Sequence, residues 1–330
     1  MIKAHYFAIL IALLIPLSAY AVGGYDISAG GAPGDRHFHP KGKPPSQHTL
    51  DVIKKDAAGL PFSDTKDFEE NKKGFIAAPD FWQIKSNAGG IAWDLERYKF
   101  YLEGKEFDSI HPSLQRQGTL NMNYGLYEVI PGVYQVRGFD LANISFVKGD
   151  TGWIIFDPLT SEETARAALK FVDEQLGKFP IKAVVYSHSH GDHWAGVRGV
   201  IDEADVVSGK IKVIAPRAFM EHAVSENVYA GNAMNRRLFY QYGILLPASP
   251  YGHAGQGLAQ NISIGNATLI APTHVVEKDI EEITVDGVRM IFQNTPNTEA
   301  PANMNTYFPE KKKYSGWQKI SMAVCTISIP

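Results

Sequence analysis

The chain has 330 residues, a formal net charge of −3 and 45% hydrophobic residues. The near-neutral balance gives no electrostatic basis for binding nucleic acid, and the length allows one large domain or two of ordinary size. A single cysteine, Cys325, excludes a disulfide within the chain. We therefore expect a core that is stabilised by packing.

The first 21 residues have the pattern of a secretory signal peptide. Lys3 supplies positive charge, an apolar run extends from Phe7 to Leu17, and Ala19-Tyr20-Ala21 fits the small-x-small cleavage pattern. The alternative, a membrane anchor, is disfavoured because this run is short for a bilayer span. We expect cleavage after Ala21, a periplasmic or secreted protein, and no stable membrane span.

Two weakly patterned regions follow. Residues 22–60 are rich in Gly, Pro, His and Lys and predict a flexible leader, whose histidines we interpret as solvated side chains. Residues 61–125 predict an N-terminal extension with one short helix capped by Ser63.

From residue 126 the pattern is that of an α/β domain. "GVYQVRG" predicts a strand, "NISFVKGDTGWIIFDP" a hairpin, "TSEETARAALKFVDEQLG" a helix with Thr160 and Glu163 at capping-box spacing, and "IKAVVYSH" a buried strand. Further on, "IKVIAP" predicts a strand, "RAFMEHAVSEN" and "AMNRRLFYQYG" predict helices, and "ITVDGVRMIFQN" predicts a hairpin that turns at Asp286-Gly287. Ligand sites of such folds gather at the carboxyl ends of the strands.

Four potential metal ligands follow the strand "IKAVVYSH" directly: His188, His190, Asp192 and His193. Side chains two positions apart on extended backbone point to the same side, so His188 and His190 can share a metal ion. Gly191 lets the chain turn, so that Asp192 and His193 can reach a neighbouring position. Imidazole and carboxylate ligands without thiolate suit zinc, with iron or manganese as alternatives. The cluster predicts a pair of metal ions.

Longer motifs extend this interpretation: "YSHSHGDHWAGVRGVI", "SENVYAGNAMNRRLFYQYG", "NTEAPANMNTYF" and "VYQVRGFDLANISFV". With these motifs, residues 62–312 resemble the secreted alkyl sulfatases of the metallo-β-lactamase superfamily, of the linear primary alkylsulfatase type. The resemblance implies a metallo-β-lactamase-like αββα sandwich, formed here by residues 126–312 and truncated at the C-terminus.

The resemblance also implies residue roles. His188 and His190 would bind one Zn²⁺ with Glu299 of "TEAPA" as a further ligand, and Asp192 and His193 would bind the other. The family consists of sulfuric ester hydrolases that convert linear alkyl sulfates such as dodecyl sulfate to alcohol and sulfate, with a metal-bound water as the reactive group. By analogy with the family, we also expect an apolar channel for the alkyl chain. We look for it at four residues, whose alternative role is core packing: Met234, Phe239, Tyr240 and Tyr242.

The tail, residues 313–330, departs from this resemblance. Family members continue with a glutamate that bridges the metals, a histidine of the second site, a sulfate-holding arginine and a region for homodimerisation, whereas this tail contains no glutamate or histidine. Codons can be chosen for the tail residues such that the same DNA, translated in a shifted reading frame, encodes the family's "A-E-N" segment. We therefore hypothesise a truncated or frameshifted product that is impaired as an enzyme, retains at most about one tightly held ion and lacks the dimerisation region.

Two alternative functions remain open. Another hydrolase of the superfamily, such as a lactonase, thioesterase or β-lactamase, is disfavoured by the "TEAPA" and "GNAMNRR" segments. A non-catalytic metal-binding fragment, or a pseudogene product, is favoured by the aberrant tail.

Overall fold

The computed structural model describes residues 42–311 and 315–316. The predicted signal peptide, the leader up to residue 41 and all of the predicted tail except those two residues lie outside this part. Within it, no helix has the length and apolar character needed to cross a bilayer.

The chain folds into helices and strands that alternate along the central part of the sequence. The α-helices are α1 (Gln47–Ala57), α2 (Lys66–Glu70), α3 (Pro112–Asn121), α4 (Glu162–Leu176), α5 (Glu203–Val207), α6 (Phe219–Val224) and α7 (Gly231–Gln241). The strands are β1 (Phe75–Ala77), β2 (Gln83–Lys85), β3 (Ile91–Asp94), β4 (Gly125–Ile130), β5 (Val133–Arg137), β6 (Ile144–Lys148), β7 (Trp153–Phe156), β8 (Ile181–Val185), β9 (Lys212–Pro216), β10 (His274–Val276), β11 (Ile280–Val285), β12 (Val288–Asn294), β13 (Met304–Tyr307) and β14 (Ser315–Gly316).

The larger sheet has eight strands in the order β1-β4-β5-β6-β7-β8-β9-β10. Its neighbours from β7 to β10 are parallel, and the others are antiparallel. Helix α4 connects β7 to β8, as a parallel connection requires. Because β7 and β8 run in the same direction, the residues that follow each of them meet at one edge of the sheet.

The central strands of this sheet are buried on both faces, as β8 illustrates. Ala183 and Val185 belong to the core on one face, whereas Val184 and Tyr186 belong to the core on the other. The first core is shared with the four-stranded sheet β11-β12-β13-β14, and the second is shared with α4 and α6. A strand buried on both faces has a continuous apolar sequence, which is the pattern of "IKAVVYSH". The eight-stranded sheet is thus the middle layer of a helix–sheet–sheet arrangement.

The smaller sheet is joined to the end of β8 through the β12–β13 loop. The amide of Ser189 donates to the carbonyl of Ala302 at 3.1 Å, and the amide of Met304 donates to that of Ser187 at 3.0 Å. Asn303 and His188 form an isolated antiparallel bridge between these contacts. This pairing brings residues 295–303 against the histidine cluster.

Residues 61–125 share the core of the larger sheet. Strand β1 pairs with β4 at the sheet edge, where Phe75 lies opposite Tyr127. The buried indole of Trp93 donates to the carbonyl of Gly138 at 2.8 Å. The predicted extension is therefore packed into the same body as the residues that follow it.

The prediction of a flexible leader is wrong for residues 47–57, which form α1. The hydroxyl of Ser46 accepts a hydrogen bond from the amide of Thr49 and caps this helix. None of the residues of α1 is buried, although Leu50 and Ile53 give it a short apolar stripe, and the Gly- and Pro-rich residues before Ser46 dominate the composition of the region.

Two predicted helix caps are also wrong by one or two positions. Helix α2 begins after Thr65 rather than Ser63. Helix α4 is capped by Ser161, whose hydroxyl accepts from the amide of Thr164, rather than by Thr160. The hydroxyl of Thr160 instead donates to Asp140, a buried partner twenty residues earlier in the chain.

Candidate metal centre

Three of the predicted ligands meet beyond the end of β8. His188 is fully buried, and its Nε2 lies 3.1 Å from Nδ1 of His190 and 3.7 Å from Oε1 of Glu299. One potential ligand atom from each of these residues lies within 4.8 Å of the other two. Two imidazoles and a carboxylate at this spacing fit a divalent metal ion.

The β12–β13 loop holds Glu299 at this position. The amide of Thr295 donates to the carbonyl of Asn303 at 2.8 Å, and the side-chain amide of Asn303 donates to the hydroxyl of Thr295 at 2.6 Å. Asn297 turns the loop with φ = 60°, a conformation that asparagine tolerates better than most residues. The loop is therefore closed at its base by the residues that pair with β8.

The other predicted pair, Asp192 and His193, lies beside the first group. Both residues belong to the 3₁₀ turn Gly191–His193, and Nε2 of His193 is 3.2 Å from Oδ2 of Asp192. The ring centroid of His193 is 4.1 Å from that of His188. All five predicted ligands thus occupy one site, in two adjacent groups, and their roles as ligands remain predictions.

Asp157 is a site residue that the sequence analysis missed. Its carboxylate accepts from Nδ1 of His193 at 2.9 Å, and from the amide and hydroxyl of Ser187 at 2.9 and 2.7 Å. These contacts fix the ring of His193 so that Nε2 faces Asp192. The available signal was an aspartate at the carboxyl end of β7, the strand next to β8.

The charges of this site favour a cation. Burial alone would raise the pKa of Asp192, but the neighbouring imidazoles, above all His193, outweigh it and hold this pKa below its ordinary value. Burial alone would lower the pKa of His193, but the carboxylates of Asp192 and Asp157 raise it to about 10. A proton or a metal ion at His193 is therefore stabilised by two carboxylates.

The residues predicted to line an alkyl channel lie on and after α7. Every residue of α7 retains solvent exposure, and the side chain of Tyr240 is 91% exposed. The alternative that these are core residues is therefore wrong for Met234, Phe239 and Tyr240. The channel itself stays a prediction.

The comparison with known families agrees with this geometry. Residues 137–299 match the model of the metallo-beta-lactamase superfamily. The domain that they form is therefore similar to members of this superfamily. The matched segment extends from the end of β5 to Glu299 and includes all five predicted ligands. The predicted α/β class and the metallo-β-lactamase-like sandwich are confirmed.

Relatives with much higher similarity are named alkylsulfatases. The chain is 49% identical over 254 residues to an (R)-specific secondary-alkylsulfatase and 48% identical over 254 residues to a linear primary-alkylsulfatase, both from Pseudomonas sp.. It is 44% identical over 256 residues to the alkyl/aryl-sulfatase BDS1 of Saccharomyces cerevisiae. These matches cover 77–78% of this chain and 38–40% of the relatives.

A solved structure has the same fold. The sec-alkylsulfatase Pisa1 from Pseudomonas sp. superposes with a TM-score of 0.77 at 48% identity, over 81% of this chain and 42% of that protein. The chain therefore spans about two fifths of the length of the relatives that it matches. The predicted resemblance to alkylsulfatases is confirmed over that span.

Proposed function

We propose that this protein binds Zn²⁺ through His188, His190 and Glu299, and that this site hydrolyses alkyl sulfate esters to alcohol and sulfate. The observation that carries the proposal is the convergence of these three side chains, within 4.8 Å, in a domain similar to named alkylsulfatases. Asp192 and His193 are proposed as ligands of a second ion.

A bound divalent ion would supply Lewis acidity, which makes water a better nucleophile and stabilises charge on the transferred group. The chain's own residues provide the arrangement around it. The hydroxyl of Ser187 lies 3.0 Å from Nδ1 of His188, so that Nε2 faces His190 and Glu299. Asp157 orients His193 through Nδ1 in the same way. Both imidazoles are therefore held in fixed orientations before a substrate arrives.

The proposed reaction breaks the ester C–O bond. The oxygen of water attacks the ester carbon, sulfate leaves with the bonding electron pair, and a proton is released to solvent. The relatives named for primary and for secondary alkyl sulfates are almost equally similar to this chain, at 48% and 49% identity. The proposal therefore names alkyl sulfates as the class, with linear primary esters as the first substrates to test.

Further parts of the proposal concern the protein in its cellular setting. We propose that residues 1–21 direct export to the periplasm. We also propose that full activity needs the bridging glutamate, the second-site histidine and the sulfate-holding arginine that the family resemblance assigns to sequence after residue 312. Homodimerisation is proposed to depend on the same downstream sequence.

Sulfate release from linear and secondary octyl sulfate tests this function. The assay compares the 330-residue chain with a version in which the downstream sequence of the Pseudomonas primary alkylsulfatase follows residue 312. We expect sulfate from the extended protein, with water-derived ¹⁸O in the alcohol, and a rate lower by several powers of ten from the shorter chain. Asp192→Ala should abolish the activity of the extended protein.

Each component of the proposal has an outcome that contradicts it. An extended protein that is folded and metal-loaded but releases no sulfate would contradict the sulfatase assignment. Label in sulfate rather than alcohol would contradict C–O cleavage. Full activity of the 330-residue chain would contradict the requirement for downstream groups.

A further inference from the structure

A π-helical turn, Ser225–Tyr229, lies between α6 and α7 and contacts the loop that carries the histidines. Such turns are rare and are often found at functional sites. The side-chain amide of Asn227 donates to the carbonyl of Ala223 at 2.9 Å, which ties the turn to α6. Oδ1 of Asn227 lies so close to Gly191 that a Cβ there would be only 3.2 Å from it. The turn is therefore packed against the backbone between His190 and Asp192.

Glu226, in the same turn, faces His190. Its Oε1 is 3.9 Å from Nε2 of His190, a distance at which the attraction is electrostatic rather than a direct hydrogen bond. The two side chains are only 22% and 32% exposed, so water screens this attraction less than at an open surface.

The two ring nitrogens of His190 have different surroundings. Nδ1 is 3.1 Å from Nε2 of His188, within the group of proposed ligands, whereas Nε2 is directed toward the carboxylate of Glu226. A neutral imidazole carries its proton on one nitrogen and offers a lone pair on the other. A carboxylate beside Nε2 favours the proton on that atom, which leaves the lone pair on Nδ1.

We propose that Glu226 is a positioning residue for the metal centre, which selects the tautomer of His190 that coordinates through Nδ1. This inference rests on the metal site of the proposed function and adds a residue outside the ligand set. It also gives the "SEN" part of the "SENVYAGNAMNRR" motif a physical role, since the π turn places Glu226 at the outer nitrogen of a ligand. The alternative is that Glu226 is an ordinary acid on a half-exposed turn.

Metal binding by Glu226→Gln distinguishes these alternatives. This variant keeps the shape of the side chain and removes its charge. Glu221→Gln is the matched control, because Glu221 is an exposed glutamate on the adjoining helix α6. The measurements are the Kd for Zn²⁺, by competition with a chromophoric chelator, and the visible absorption spectrum of the Co²⁺-loaded protein.

We expect Glu226→Gln to bind Zn²⁺ about 10- to 100-fold more weakly than wild type and to change the Co²⁺ spectrum, with Glu221→Gln unchanged. Glu226→Asp, which retains the charge, should lie between wild type and Glu226→Gln in affinity. Melting of the metal-free proteins separates this effect from misfolding. If Glu226→Gln does not fold, the comparison passes to Glu226→Asp, which should then bind more weakly than wild type.

Two outcomes would overturn these ideas in distinguishable ways. Wild-type affinity and spectrum in every folded Glu226 variant would overturn the positioning role and leave the metal site standing. Failure of the wild-type protein to bind either ion would overturn the metal site and the positioning role together.

Discussion

His253 is a buried histidine away from the predicted ligand set. Its Nδ1 lies 2.7 Å from the hydroxyl of Tyr98, which itself accepts from the side-chain amide of Asn261 at 3.2 Å. The hydroxyl proton of Tyr98 is therefore available to His253, which accepts it as a neutral imidazole. Burial lowers the pKa of His253 to about 4 from an ordinary value of 6.5.

This burial predicts acid sensitivity of the fold. The unfolded chain takes up a proton at His253 as the pH falls through 6.5, while the folded protein does so only near pH 4. Burial of the neutral imidazole therefore costs no stability above pH 6.5. As the pH falls from 6.5 to 4, it lowers the free energy of unfolding by about 3 kcal/mol at most. Between about pH 7 and about pH 4.5, His253→Gln should lose less unfolding free energy than wild type, as measured by urea denaturation of the metal-free proteins.

The exposed helix residue His48 provides the control for this experiment. His48→Gln should show the same pH profile as wild type. An equal loss of stability on acidification in wild type and His253→Gln would contradict the account of His253.

Asp157 shows what a sequence pattern does not reveal at the residue scale. The histidine cluster is contiguous in the sequence, so its ligand chemistry could be predicted directly. Asp157 lies 30 residues before Ser187, and only the pairing of β7 with β8 brings its carboxylate to Ser187 and His193. The same limit applied to Glu226, whose contact with His190 depends on how the π turn packs.

At the scale of elements, Asp140 links three segments around the start of α4. Its buried carboxylate accepts from the amide and hydroxyl of Thr160, the hydroxyl of Thr164, and the amide and hydroxyl of Ser263, at 2.6–3.2 Å. The N-terminal end of a helix also favours a negative charge. This network joins the loop after β5, the helix between β7 and β8, and the segment before β10.

Asp140→Asn should therefore destabilise the fold. An amide nitrogen would face hydroxyl and amide donors, and it would leave several of them without an acceptor. We expect a loss of about 2–4 kcal/mol in the free energy of unfolding by urea. Glu174→Gln, at a side chain on α4 that is 53% exposed, is the control and should change stability by no more than about 0.5 kcal/mol. A loss from Asp140→Asn no larger than that of the control would contradict the linking role.

Elements with a clear local pattern could be predicted, and those defined by packing could not. The hairpin of β11 and β12 turns at Asp286-Gly287 as predicted, because a positive φ of 47° at Asp286 and 78° at Gly287 suits those two residues. Helix α4 ends at Gly177 for a similar local reason. Strand β1, by contrast, has only three residues and exists through its pairing with β4.

At the scale of the whole molecule, the layers explain why the site lies where it does. The parallel strands β7 and β8 end at one edge of the middle sheet, and the smaller sheet returns its β12–β13 loop to the same edge. Asp157, the histidine cluster and Glu299 therefore come from three separate elements. The fold class followed from motifs shared by a superfamily, whereas the contact between the two sheets, which completes the first ligand group, is a property of the packed core.

The central claim is a metal site formed by His188, His190 and Glu299. Its most direct test is the zinc content of purified protein after dialysis, which is compared for wild type, His190→Ala and His48→Ala. We predict that wild type and His48→Ala retain about one ion per chain, because the part of the chain that the structure describes holds one cluster of three potential ligands, whereas Asp192 and His193 form a pair. His190→Ala should retain none, since it removes one of the three ligands that hold the first ion. Equal zinc retention by His190→Ala and wild type would contradict the assigned site. Two ions retained by wild type would contradict the proposal that the first position binds zinc more tightly than the second.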